Sequence, residues 1–498
     1  MSDTVSTLPI AVVGAGPVGL AAAAHLLSRG MTPLVFEAGP SPGANLHTYA
    51  HVQLFSPWRY NVDKASRALL EQQGWKHPAP EALPTAGEIV RSYLEPLARH
   101  PALAPHIRFA HRVVAISRAS VDKVKTAKRE AAPFALRVHT PDGEREFRAQ
   151  AVIDASGTWN QPNPMGANGL PALGELALTK QISYGMPDIL GRDRARYEGR
   201  RVLVVGSGHS AAGNLIALAE LAESVPTTQI VWAIRGDNWT RIFGGGEADG
   251  LPARGQLGQR LKQLRDSGRL QVHTGFRIHE LRSDNGRITA YAEVESGERP
   301  RVSGIEEIIV STGARPDFST TRELRLKLDY WLESTEALAP LIDPNEHSCG
   351  TVRPHGHREL AHPEVGYYAV GAKSYGRAPT FLLATGYEQV RSVVAALAGD
   401  LAAADDVQLD LPETGVCSVS FGPEKETASC CGTSPPELSS VPAASAASEG
   451  CCGGPPKDAA NACCVADEQA KSAGAAGCGC STAVAVSAAA PQRKACCG

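Results

Sequence analysis

The sequence predicts an α/β protein built on open, mostly parallel sheets. Two observations carry this expectation. An apolar run leads into a glycine turn and then a helix over residues 8–27 and 201–221, and less regularly over 366–397. Short alternating segments, which read as small meanders, lie between these units.

The first unit opens with Ile10-Ala11-Val12-Val13, an apolar run suited to a buried parallel strand. It runs directly into Gly14-Ala15-Gly16-Pro17-Val18-Gly19. In this spacing Gly14 permits a tight turn, Gly16 lets the backbone approach a pyrophosphate, and Gly19 lets the helix pack closely on the strand. The helix that follows aims its N-terminus at the phosphates. A second strand over residues 33–36 ends in Glu37, 23 positions after Gly14. A carboxylate there accepts the ribose hydroxyls of the adenosine half of FAD or NAD and repels a 2′-phosphate. A glycine turn of no function would leave this ordered succession unexplained. Residues 107–116, 134–139 and 146–154 then predict a β-meander, with Pro141-Asp142-Gly143 as a hairpin turn.

The second unit repeats the logic. Arg201-Val202-Leu203-Val204-Val205 enters Gly206-Ser207-Gly208-His209-Ser210-Ala211, with alanine in the third glycine position. The next strand, residues 229–234, ends in Arg235 rather than an acid. A guanidinium there suits the 2′-phosphate of NADPH, and Arg241 is a second candidate for it. Arg235 could also be an ordinary surface arginine at a strand end. His209 could touch a phosphate or the nicotinamide, or simply fill the helix start. Residues 287–294 and 305–312 predict a second small strand pair. The expected organisation is an FAD-binding domain over 1–165 and 335–410, an NADPH-binding domain over 166–334, and a tail over 411–498. Both nucleotide domains are therefore Rossmann-like, one inserted in the other.

The balance of 43% hydrophobic and 20% charged residues is ordinary for a globular chain. A formal net charge of −3, with no basic stripe interleaved with aromatics, argues against nucleic acid as a partner. Gly14, Gly16, Pro17 and Gly19 break the most apolar early stretch, so no membrane span is expected. A basic leader region is missing as well, and the expected location is the cytoplasm. The sequence leaves a homodimer open.

Cysteine divides the chain. The first of the 12 is Cys349, and the rest lie between Cys417 and Cys497. The tail from residue 411 has Phe421 as its only aromatic and contains no isoleucine, so it is expected to be disordered. It carries the adjacent pairs Cys430-Cys431, Cys451-Cys452, Cys463-Cys464 and Cys496-Cys497, and the close pair Cys478-Gly479-Cys480. Paired thiols in a reducing compartment suit soft ions such as trivalent arsenic, Hg(II), Cu(I) or Zn(II). The spacing does not fit a zinc-finger framework.

Taken together, these residues resemble the flavin-containing monooxygenases and related flavoproteins with two dinucleotide-binding domains, over most of residues 8–400. Asp154-Ala155-Ser156-Gly157-Thr158-Trp159 resembles the family's crossover out of the FAD domain. Ser311-Thr312-Gly313-Ala314-Arg315-Pro316 resembles the return. Tyr60-Asn61-Val62-Asp63-Lys64 resembles the segment that sets an asparagine beside the flavin, and Gly371 with residues 379–389 resembles the last FAD contact. The monooxygenases also carry F-x-G-x-x-x-H before the second glycine motif; Gly185 corresponds here and the histidine is absent.

The resemblance implies that NADPH reduces FAD and that reduced flavin uses molecular oxygen to oxidise a soft nucleophile. Asn61 is then the candidate for a hydrogen bond at the flavin edge. Arg377, Arg59 and Trp58 are pocket candidates, with packing the better reading for Trp58. The tail is similar to the cysteine-rich ends of proteins from arsenic-resistance operons, which implies a trivalent, methylated arsenical as substrate. An N- or S-monooxygenase of a small organic metabolite with a metal-buffering tail is the alternative, and a soft-metal sensor on a flavoprotein fold is another. The terminal Cys496-Cys497-Gly498 also resembles that of mercuric reductase. Residues 38–60 hold no redox-active cysteine pair, however, and the NADPH unit holds no C-x-x-C.

Overall fold

The computed structural model describes residues 8–243, 252–294, 297–347 and 352–409, without the side chains of 240 and 241. The chain divides into two compact units, Met1–Gly422 and Pro423–Gly498. The second unit lies outside the described residues, and so do all the cysteines.

Strand β1 (Ile10–Val13) leads into helix α1 (Pro17–Ser28), and β2 (Pro33–Phe36) returns parallel to β1 with Ile10 opposite Pro33. Four consecutive alanines of α1, Ala21 to Ala24, are fully buried. Their small side chains let α1 lie close to its neighbours in the apolar core, among them Val390, Val393 and Val394. The short β3 (Ile107–Arg108) extends the same sheet beside β2. Next come β4 (Arg112–Arg118), β5 (Phe134–Thr140) and β6 (Gly143–Ala149), an antiparallel meander with its turn at Thr140 and Gly143. Strand β7 (Ala151–Asp154) then pairs parallel with β1.

The second sheet gathers β8 (Ile182–Tyr184), β9 (Arg201–Val205), β10 (Gln229–Ala233) and β11 (Gln271–His273), with helix α2 (His209–Ser224) after β9. A second meander follows, made of β12 (Ile278–Asp284), β13 (Arg287–Ala292) and β14 (Arg301–Ile305). Strand β15 (Glu307–Val310) rejoins the second sheet. Finally β16 (Tyr367–Ala369) closes the edge of the first sheet, before helix α3 (Leu383–Leu397). The sheet orders are β16-β7-β1-β2-β3 and β11-β10-β9-β15-β8, every pairing parallel. This is the expected α/β architecture.

The structure redraws three predicted strands. The segment 305–312 does not pair with 287–294 as a unit. Only Ile305 belongs to the meander, while Glu307–Val310 runs between β9 and β8. Ile308, Ile309 and Val310 are buried, which a sheet interior supplies and a half-exposed meander does not. For the same reason 146–154 splits at Gln150, and 107–116 splits between β3 and β4.

A buried ionic cluster ties the first meander to the approach of β16. Glu364 accepts from Arg118 and from Arg129, each at 2.7 Å, and from the Arg325 backbone N–H at 3.0 Å. Arg118 also lies over the Phe134 ring, 3.8 Å from its centre. Burial opposes the Glu364 charge, but the Arg129 and Arg118 guanidinium groups hold its carboxyl below the ordinary 4.5.

Candidate dinucleotide-binding cleft

Both glycine turns open on one cavity of about 1260 Å³. At the first turn, Gly14 has φ +100°, and a side chain there would stand 2.8 Å from the Ala155 carbonyl oxygen. A side chain on Gly19 would stand 2.0 Å from the Gly14 carbonyl oxygen, so this glycine serves helix packing and does not line the cavity. Gly16 differs: its backbone is extended, and no protein atom lies within 4 Å of where a Cβ would be. Pro17, in the first turn of α1, lines the cavity beside it. Glu37 closes this end. Its Oε2 accepts from Ala15 N at 2.7 Å and its Oε1 from Gly39 N at 2.8 Å, which fixes a carboxylate on the cavity wall.

The second turn repeats the division of labour. Gly206 has φ +127° and stands against the Ser311 carbonyl, with room for no side chain. Its own carbonyl accepts from Trp232 Nε1 at 2.7 Å, so the turn is held from β10. Gly208 has the open position, with no protein atom within 4 Å of a would-be Cβ. Gly208, His209 and Arg235 line the cavity, whereas Ser210 and Ala211 do not. Ala211 is fully buried in the core behind α2. The His209 ring meets Phe55 edge-on, with centres 5.2 Å apart.

Gly157 and Gly371, at φ +71° and +68°, line the cavity between the two turns. Thr312 and Gly313 do not. The Thr312 hydroxyl donates to Asn163 O at 2.7 Å and the Gly313 carbonyl accepts from Asn163 N at 2.9 Å, so they clamp the outgoing crossover to the return. Asn61 is buried on the wall, and its Nδ2 donates to the carbonyls of Ser56 and Pro57 at 2.6 and 2.9 Å. With both N–H groups spent, its Oδ1 is left to act, as an acceptor. Arg377 is held by Glu333 at 2.9 and 3.1 Å and does not line the cavity. Arg59 pairs with Glu81 on the surface, and Trp58 is packed in the core. The side chain of Arg241 and the cysteines 430, 431, 451, 452, 463, 464, 478, 480, 496 and 497 lie outside the described residues.

Several wall residues carry no motif that sequence reasoning could find. Arg112, Arg254 and Arg277 join Arg235 on the wall, while Glu37 is the one carboxylate among the described residues lining it. Arg235 and Arg112, among the described residues of the wall, suit an anionic ligand. Tyr49 and Trp159 form an aromatic wall, with ring centres 4.4 Å apart. Burial pushes the Tyr49 phenol up to about 12, which keeps it neutral at physiological pH.

Comparison with known proteins agrees with this geometry. The family model for pyridine nucleotide-disulphide oxidoreductases matches residues 11–349. Human flavin-containing monooxygenase 1 is 28% identical over 248 residues, which is 48% of this chain and 42% of that protein. The chain thus spans less than half the length of this relative. Bacillithiol disulfide reductase from Bacillus cereus superposes with a TM-score of 0.57 at 19% identity, over 79% of this chain and 99% of that one. The FAD-bound cadaverine monooxygenase from Erwinia amylovora superposes with a TM-score of 0.55 at 13% identity, over 85% and 100%. On the extent of the family match, the chain belongs to the pyridine nucleotide-disulphide oxidoreductases.

Proposed function

We propose that this flavin-dependent oxidoreductase is an FAD- and NADPH-dependent monooxygenase that oxidises a trivalent, methylated arsenical. One observation carries the cofactor reading: two glycine cradles, at Gly16 and Gly208, are left empty of protein atoms and face one shared cavity. They are the space that two pyrophosphates need. FAD held along these cradles would supply the redox chemistry that links NADPH to oxygen. The rest falls to the side chains. Glu37, fixed by two N–H bonds, presents lone pairs to the ribose hydroxyls. The N-termini of α1 and α2 face the phosphates. Arg235 is the partner for the 2′-phosphate, with Arg254 and Arg277 on the same cavity. Asn61 Oδ1, its N–H groups committed elsewhere, would accept a hydrogen bond from the flavin, and the neutral Tyr49–Trp159 wall would exclude water beside it.

A redox-active cysteine pair beside the first glycine motif or within the NADPH unit is excluded, since no cysteine precedes Cys349. The arsenical reading rests on the cysteine pairs of residues 430–497, whose thiolates suit a soft metalloid. In this account the tail captures the arsenical and raises its local concentration. Removing residues 411–498 should raise the substrate concentration needed for half-maximal NADPH consumption while leaving the saturated rate unchanged. Identical titration curves for the two chains would remove the tail from the account. Arg235→Ala should cut the preference for NADPH over NADH by about 10- to 100-fold, the worth of one or two charge-assisted hydrogen bonds. Flavin reduction rates with the two nucleotides measure it.

A further inference from the structure

Behind the cavity wall lies a buried polar chain that the reaction outlined above does not use. His355 is 4% exposed, Gln389 0% and Ser374 1%. His355 Nδ1 lies 2.9 Å from the Arg353 carbonyl oxygen. A carbonyl only accepts, so Nδ1 carries the proton. The Gly371 N–H donates at 2.7 Å to the Gln389 side chain, which fixes the oxygen of that amide as Oε1. Gln389 Nε2 therefore points the other way. It donates to Ser374 Oγ at 2.9 Å, and to His355 Nε2 at 3.0 Å. The Ser374 hydroxyl in turn donates to the Gly371 carbonyl at 2.8 Å. Each group in this chain has one permitted sense, and the sense requires a neutral imidazole.

We propose that His355 is a positioning residue for the flavin: when neutral, it locks the Gln389 amide and thereby holds the Gly371 turn and the start of α3 against the cofactor. This rests on the assignment of FAD to the cavity. Gly371 and Ala372 of the turn line that cavity, as do Leu382 and Leu383 at the start of α3. Gln389 spans the two elements. Protonation would put an Nε2–H against the Gln389 NH2, donor facing donor. Flipping the amide would only move the conflict, setting the NH2 against the Gly371 N–H. Either way the turn is released.

Among the described residues, the charged and titratable groups that bear on His355 are Glu359, Glu388 and Tyr375. Glu359 lies on its own segment and Glu388 on α3, where Glu388 is paired with Arg391 at 2.6 Å. Tyr375, on the turn, places its ring 5.6 Å from the imidazole. Burial dominates and holds His355 below its ordinary 6.5, although the Arg353 carbonyl and both glutamates favour the cation. Because the folded state resists the proton, the lock is fully in place at neutral pH and weakens as pH falls below the ordinary histidine range.

The test follows FAD release from the full-length holoprotein by flavin fluorescence, from about pH 7.5 to about pH 4.5, spanning the histidine range. His355→Gln carries an acceptor near the Nε2 position and cannot take up a proton there. It should retain neutral-pH affinity and lose the acid limb of release. His355→Leu leaves a Gln389 N–H without its acceptor and should weaken FAD about tenfold at neutral pH. The proposal is overturned if His355→Gln keeps the wild-type acid limb, or if a folded His355→Leu chain binds FAD as wild type does. Should His355→Leu fail to fold, the His355→Gln profile decides. A wild-type chain that takes up no FAD at any pH would refute the cofactor assignment, and this proposal with it. FAD bound by all three chains with one common pH profile would refute this proposal alone.

Discussion

Gly208→Val is expected to yield a yellow protein that NADPH no longer reduces, and Gly16→Val a folded protein without flavin. The argument is local. Both glycines have extended backbone, at φ −87° and −77°, which valine adopts without strain. Beyond its chain neighbours neither has a protein atom within 4 Å of the new Cβ, so each side chain enters the cavity and not the core. What valine removes is the approach of a pyrophosphate to backbone N–H groups. Losing two charge-assisted bonds costs on the order of 100-fold or more in affinity. Gly14, Gly19 and Gly206 should behave differently, because a side chain there meets a backbone carbonyl and disturbs the fold itself. Flavin content of the purified proteins and the rate of anaerobic bleaching by NADPH separate these outcomes. If Gly208→Val is reduced at the wild-type rate, the second cradle does not hold the nicotinamide nucleotide.

Glu364→Ala is expected to cost about 3–5 kcal/mol of stability, the range for breaking a buried ion pair from one side. It leaves Arg118 and Arg129, 4% and 3% exposed, facing each other without their shared carboxylate. Chemical denaturation measures the loss. Because the Glu364 carboxyl is held below 4.5 in the folded state, its contribution is present above that pH and declines as pH falls below it. In the Glu364→Ala variant this part of the acid dependence should vanish. A loss under about 1 kcal/mol would mean that water reaches the cluster, as at a surface pair.

The parts of the site legible in the sequence are those where backbone geometry dictates the residue. Gly14 and Gly206 need positive φ against a carbonyl, Gly19 needs close helix packing, and Gly16 and Gly208 leave ligand space. Such demands are local, so they leave a spaced pattern. Glu37 was legible because the dinucleotide-binding pattern places an acid at the end of the second strand. Arg112, Arg254 and Arg277 were not, because nothing near them in sequence marks a wall that only tertiary packing assembles. The Glu364 cluster joins residues 246 and 235 positions apart and leaves no local trace. Strand limits failed at Gln150 and Ile305 for a related reason. There an apolar pattern runs on while the chain passes from a meander into a parallel sheet, and periodicity does not register which partner a strand takes. Asn61 was found by its segment, but the commitment of its amide N–H groups to Ser56 and Pro57 emerges only in the fold.

The central claim is tested most directly by following NADPH and oxygen consumption by the flavin-loaded protein, with and without methylarsenite, while identifying the arsenic product. The account predicts a low basal rate, stimulation by methylarsenite, and one pentavalent product formed per NADPH and per oxygen consumed. A rate that methylarsenite leaves unchanged, with all arsenic recovered as trivalent, would contradict it.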